Sequence, residues 1–145
     1  MTRHQNARKT LFLDFDGVLH PSSASEGCYF VHADRLVASL GNSPCEIVIS
    51  SSWRFAFELQ KIKRKLPDRM AGRIVATTGD AYIGPFARYN EILEYLALNP
   101  CGDWRALDDS TFEFPAKFSK LIACDGRKGL DNQVLTHVSM WLQAC

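Results

Sequence analysis

The stretch "TLFLDFDGVLH", residues 10–20, sets the reading of the whole chain. Leu11, Phe12 and Leu13 run straight into Asp14 and Asp16, and Gly17 follows at once. A short apolar run of this kind reads as a buried strand. Two carboxylates one residue apart at its end repel each other, and burial desolvates both. Such a placement is costly unless a cation or a reaction needs it. Side chains two apart on a strand share a face, so the pair can serve one site. Glycine then permits a sharp exit.

Working outward, four further apolar runs follow: "EIVISSS", "GRIVATT", "DWRALDD" and "KLIACD". Segments with helical spacing alternate with them. "ADRLVASLG" carries Leu36, Val37 and Leu40 and stops at Gly41. "RFAFELQKIKRKL" puts Phe55, Leu59, Ile62 and Leu66 on one stripe, which predicts a single helix. "RYNEILEYLALNP" presents Ile92, Leu93 and Leu96 and ends before Pro100. "DNQVLTHVSMWLQAC" opens on a cap at Asp131 and offers Val134, Val138, Trp141 and Leu142 to the core. Strand and helix alternate. The expected fold is therefore α/β, a Rossmann-like three-layer domain with a mostly parallel five-stranded sheet.

The 145 residues are 46% hydrophobic with a net charge of +1. That suits one domain over 1–145 with one core, and it gives no global bias toward nucleic acid or membrane. The polar, basic 1–10 segment reads as a flexible lead-in, and no stretch approaches a membrane span. Cys28, Cys45, Cys101, Cys124 and Cys145 form no CxxC pair and read as reduced thiols of a cytoplasmic protein.

Reactive groups of an open α/β sheet collect beyond the carboxyl ends of its strands. Here those ends carry Asp14 and Asp16, Ser50, Thr77 and Thr78, Asp108 and Asp109, and Asp125. Several carboxylates at one sheet edge make a hard-oxygen site, and Mg²⁺ suits it. A carboxylate beside a phosphate held there can attack phosphorus, while a second acid protonates the leaving oxygen and later activates water. Asp14 as nucleophile and Asp16 as acid/base fit this division.

These motifs resemble the haloacid dehalogenase (HAD) superfamily of phosphohydrolases. "DFDGVL" is similar to its first motif, and "IVISSSWR" offers Ser50 for its second, with Ser51 as neighbour. Arg88 in "FARYNEIL" matches the basic third motif, where a lysine is commoner, and "LDDS" matches the acidic fourth. The resemblance implies metal binding by Asp14, Asp16 and Asp109 with Asp108 in support. It implies that Ser50 and Arg88 hold the phosphoryl oxygens. "SSSWR", "RYNEIL" and "LDDS" also resemble small HAD-like domains found alone or fused to RNA-repair proteins.

The stretches after the first and third strands are too short for a cap domain, so "HPSSASEGCYFVH" forms at most a flap, with Tyr29 and Phe30 over the entrance. An open site suits a phosphorylated macromolecule, a nucleic-acid end or a phosphoprotein, or a nucleotide, on a monomer or weak oligomer. The rival reading is a non-catalytic phosphate or nucleic-acid binding module on the same fold. Arg54 and His20 are candidates for contacting the substrate. Trp53 reads as core. Lys61, Arg64 and Lys65 read as a solvated helix face, with no aromatic interleaved for stacking.

Overall fold

The structure, a computed structural model, describes residues 8–144. Five strands, β1 (Lys9–Leu13), β2 (Glu46–Ile49), β3 (Ile74–Thr77), β4 (Asp103–Asp108) and β5 (Leu121–Ala123), pair in the order β3-β2-β1-β4-β5. Every pairing is parallel. The chain winds outward from β1 to β3, then jumps back across β1 to β4. That reversal opens a crevice beyond the ends of β1 and β4.

Among the described residues six helices complete the layers: α1 (Ala33–Leu40), α2 (Trp53–Ala56), α3 (Leu59–Arg64), α4 (Asp68–Ala71), α5 (Ala87–Leu98) and α6 (Asn132–Gln143). Strand alternation decides which face each residue serves. Leu11, Leu13, Ile47, Ile49, Leu107 and Ile122 pack with α1, α4 and α6. Phe12, Val48 and Ala106 point the other way, against Ile92 of α5 and Phe114. Phe12 there meets Tyr95 and Trp104 edge-on, with ring centroids 5.7 and 5.6 Å away. Such pairs add about 0.5–1.5 kcal/mol each beyond burial.

Three expectations change. The stripe from Phe55 to Leu66 is broken, because Phe57 and Glu58 are extended. The break turns Phe57 back toward Trp53 and leaves Phe55 56% exposed. Leu93 of α5 is exposed rather than in the core. Of the expected flexible 1–10 segment, 1–7 lie outside the described residues, whereas Lys9 and Thr10 belong to β1. Lys9 is tied down because its ammonium donates to the carbonyls of Trp141 and Ala144 at the end of α6, at 2.6 and 2.7 Å.

The cap at Asp131 forms as expected, its carboxylate accepting the Val134 N–H at 2.9 Å. Cys45 and Cys124 are buried, and burial pushes the Cys45 thiol up to about 12. Among the described residues no cap module is present. The flap holds one 3-10 turn, Glu26–Cys28, and among the described residues no helix is long and apolar enough to cross a membrane.

Candidate active site

The backbone ladder runs one residue past three strands: Asp14 N–H donates to Leu107, Ser50 N–H to Leu13 and Thr78 N–H to Ile49, at 2.9–3.1 Å. The strand ends are therefore level. Asp14, Ser50 and Asp108 lie two residues beyond Phe12, Val48 and Ala106, so they continue the face that α5 covers. Near its start α5 supplies Arg88 and Glu91 to that face.

Carboxylate oxygens of Asp14, Asp108 and Asp109 all lie within 4.8 Å of one another. Arg88 Nη1 reaches Asp108 Oδ2 at 2.6 Å and Asp14 Oδ1 at 3.3 Å. The Ser110 N–H donates to the other oxygen of Asp108 at 2.9 Å. Burial first, then the Asp108 charge, pushes the Asp14 carboxyl up to about 8, with Arg88 opposing. In its protonated form Asp14 hydrogen-bonds to Asp109, which raises it further. Burial likewise raises Asp108, against the pull of Arg88. Burial and mutual repulsion thus favour the neutral form of carboxyls whose charge a divalent cation would offset.

Gly17 and Gly126 flank Asp109 so closely that a Cβ at either position would overlap its carboxylate. All-oxygen donors, a charge excess and this glycine cradle fit Mg²⁺. Gly126→Ala is expected to weaken Mg²⁺ binding at least tenfold, as other perturbations of a ligand's support do. Calorimetric titration with Mg²⁺ measures it, and an unchanged affinity would count against the cradle.

Asp16 stands apart. Its carboxylate, 48% exposed, takes His20 Nε2 at 2.7 Å on one oxygen and Trp53 Nε1 at 3.1 Å on the other. The Phe30 N–H donates to His20 Nδ1 at 3.2 Å, so the ring hydrogen sits on Nε2 and points at Asp16. Phe30 adopts φ 65° to make that contact, a conformation costly for a bulky residue. Backbone strain in the flap is therefore coupled to the placement of one acid.

Four aspartates, a buried serine and a helix-borne arginine at the switch point are the features on which a family assignment turns. Residues 10–135 match the family described as the HAD domain in Swiss Army Knife RNA repair proteins. The chain belongs to this family. No curated protein and no solved structure matches it. The HAD resemblance read from "DFDGVL" onward holds over nearly the whole chain.

In this RNA-repair-type HAD domain the expected site residues divide. Asp14, Asp108, Asp109 and Arg88 come together as described. Ser50 Oγ is buried at the same edge with no hydrogen-bond partner among the described residues, as is Thr78 Oγ1. A buried hydroxyl without a partner is costly unless a ligand supplies one.

Four of the expected site residues stand outside the trio. The Asp16 carboxylate does not join the metal-type trio, because His20 and Trp53 hold it aside. His20 is 1% exposed and is spent on the Asp16 carboxylate at 2.7 Å. Ser51 is fully buried, and its hydroxyl accepts the Trp53 N–H at 3.2 Å. Arg54, with its side chain 3% exposed, is a strut: Nε donates to Gly79 O, and Nη1 to Ser50 O and Ser51 O, each at 3.0 Å. Its Nη2 faces Glu91 Oε1 at 3.1 Å, an ion pair outside hydrogen-bond geometry.

Sequence reasoning missed the structural weight of Glu91 and Gly126. Glu91 signals itself only as an i,i+3 neighbour of Arg88. Gly126 signals itself only as the residue after Asp125. Asp125 itself pairs with Arg127 at the surface and takes no part in the trio.

Proposed function

We propose that this domain is a Mg²⁺-dependent phosphomonoester hydrolase working through a phospho-Asp14 intermediate. The observation that carries this reading is the division of the acids: three gathered as a cation site, and one held apart, half-exposed, on its own supports. Membership of the HAD family supports the same class of chemistry. Asp14 and Asp109 would hold the ion directly, with Asp108 braced by Arg88 behind them. Magnesium bound there would neutralise the carboxylates and offset charge on the phosphoryl group.

The protein groups then divide the work. An ionised Asp14 oxygen attacks phosphorus, and the bond from phosphorus to the leaving oxygen breaks in line. Asp16 gives its proton to that oxygen. Asp16 next takes a proton from water, whose oxygen attacks phosphorus and breaks the bond to Asp14, releasing inorganic phosphate. Ser50 Oγ and the Arg88 guanidinium donate to the phosphoryl oxygens through both steps. The uncapped crevice suits a macromolecular phosphate, and the family's description favours a nucleic-acid end.

Phosphate release from an aryl phosphate, 3′- and 5′-phosphorylated oligonucleotides and a phosphopeptide tests this, with and without Mg²⁺. Release is expected only with the metal. Asp16→Asn is expected to lower kcat/KM, which reports transfer to Asp14, about 10²–10⁴-fold for an alkyl ester and far less for a p-nitrophenyl ester, because that leaving group needs no proton; loss of the base for the second step lowers kcat for both. Equal losses of kcat/KM on both esters would remove Asp16 from the acid role. Binding of phosphate esters with no turnover of any would point to a binding module.

A further inference from the structure

The mechanism leaves the aromatic side of the crevice unused. A cavity of about 330 Å³ opens there between the flap and the joint of α2 and α3, lined by Glu26, Tyr29, Phe30, Trp53, Phe57 and Lys65. Trp53 is its centre, with the rings of Phe30, Tyr29 and Phe57 at 5.1, 5.3 and 5.3 Å. Tyr29 is 37% exposed at the lip. Lys65 Nζ lies 4.8 Å above the Phe57 ring. Among the described residues neither Lys65 nor Lys61, Lys63 or Arg64 pairs with an acid.

Position decides what this cavity meets. The indole that forms its centre also donates to Asp16. Asp16 protonates the leaving oxygen, so whatever that oxygen carries extends past Asp16 toward Trp53. A wall of aromatic rings beside a free cationic run fits one kind of leaving group: a planar base on an anionic backbone. A phosphorylated serine or threonine brings no ring to stack, and a phosphotyrosine brings a ring but no adjoining backbone phosphate for the cationic run. The larger cavity of about 680 Å³, lined by Arg8, Thr10, Glu46 and Tyr95, lies at the amino ends of the strands, away from the reacting groups.

We propose that the Tyr29–Phe30–Trp53–Phe57 cavity is a leaving-group subsite that stacks the terminal base of a phosphorylated nucleic-acid end, with Lys65 meeting the adjoining backbone phosphate. This rests on the hydrolase reading above. The break of the helical stripe at Phe57 supplies one ring, and the flap supplies two more. The aromatics that the basic run lacks in sequence thus arrive in space.

The test uses the whole chain with Mg²⁺ and three substrates: a phosphorylated oligonucleotide, the same oligonucleotide with an abasic terminal residue, and a phosphoserine peptide. The wild type is expected to favour the base-bearing end over the abasic one by roughly 5- to 100-fold in kcat/KM. Tyr29→Ala is expected to bring that ratio close to one. Lys65→Gln is expected to leave the ratio and shallow the salt dependence for both oligonucleotides. A wild-type ratio near one, an unchanged ratio in Tyr29→Ala, or preference for the peptide overturns the subsite. Failure to release phosphate from any substrate sinks the hydrolase reading alone. Quenching of a terminal 2-aminopurine on binding to Asp14→Asn, lost in Asp14→Asn/Tyr29→Ala, would then uphold the subsite, and no quenching would overturn it.

Discussion

Asp14→Asn is expected to lower Mg²⁺-dependent phosphate release by at least about 10⁴-fold while making the metal-free fold more stable at pH 8. The two effects share one cause. Asp14 is buried beside Asp108, and its carboxyl is pushed from 3.8 up to about 8. A group whose pKa is raised on folding contributes stability that is fully present below its unfolded value. That stability is lost as pH rises through the folded value. Between about pH 4 and pH 8 the metal-free protein therefore weakens by up to about 1.4 kcal/mol per pH unit from this group. Asparagine carries no charge to desolvate, so thermal melts of Asp14→Asn in EDTA should show that slope removed. Mg²⁺ should restore the wild type, most strongly at high pH, because binding displaces the proton. Retained turnover in Asp14→Asn would remove the nucleophile. A steeper fall of its melting point with pH would refute the burial account.

Much of this site was legible because strand ends are local. An apolar run, an acid and a glycine need no partner to be read, and alternation assigns the face. The same logic put Ser50 and Asp108 at strand ends, which is where they lie. What failed depends on burial and on distant partners. Arg54 follows a serine motif on a helix start and so reads as a phosphate clamp. Its guanidinium is instead held by Gly79 O and Glu91, both far along the chain. His20 reads as a substrate contact because it lies near Asp16 in sequence, and a backbone N–H ten residues away fixes its role. The helix over 54–66 failed for a related reason. Periodicity counts Phe55 as the core face, while packing against Trp53 favours Phe57 and breaks the turn between them. Gly126 lies in the Asp125–Lys128 turn without the positive φ that would call for glycine, and what it avoids is the carboxylate of Asp109.

The wall behind the reacting acids is an alternating row of charge: Asp14 and Asp108, then Arg88, then Glu91, then Arg54. Glu91 is the hinge of that row. It is 6% exposed, faces Arg54 at 3.1 Å and Arg88 at 3.9 Å, and accepts the Tyr82 N–H at 3.0 Å. Removing it strands the Arg54 guanidinium, whose pKa burial already lowers and Glu91 sustains. Glu91→Ala is expected to cost about 3–5 kcal/mol, the usual penalty for orphaning a buried charge. That is a large share of the roughly 5–15 kcal/mol available to a domain. Urea unfolding measures it. The double change Arg54→Met with Glu91→Leu should recover the part of the loss that comes from the orphaned charge, since it removes both charges and keeps their volume, while the Ser50, Ser51 and Gly79 carbonyls and the Tyr82 N–H lose their partners. The two variants separate stability from catalysis. If Glu91 acts only by neutralising Arg54, the double variant regains stability and keeps Arg88 on Asp108, so turnover returns with the fold. If Glu91 also aims Arg88, stability returns while kcat stays low and KM is little changed, because a misaimed guanidinium no longer favours the transition state. A Glu91→Ala cost below about 1 kcal/mol would show that the carbonyls of Ser50, Ser51 and Gly79 suffice to hold Arg54.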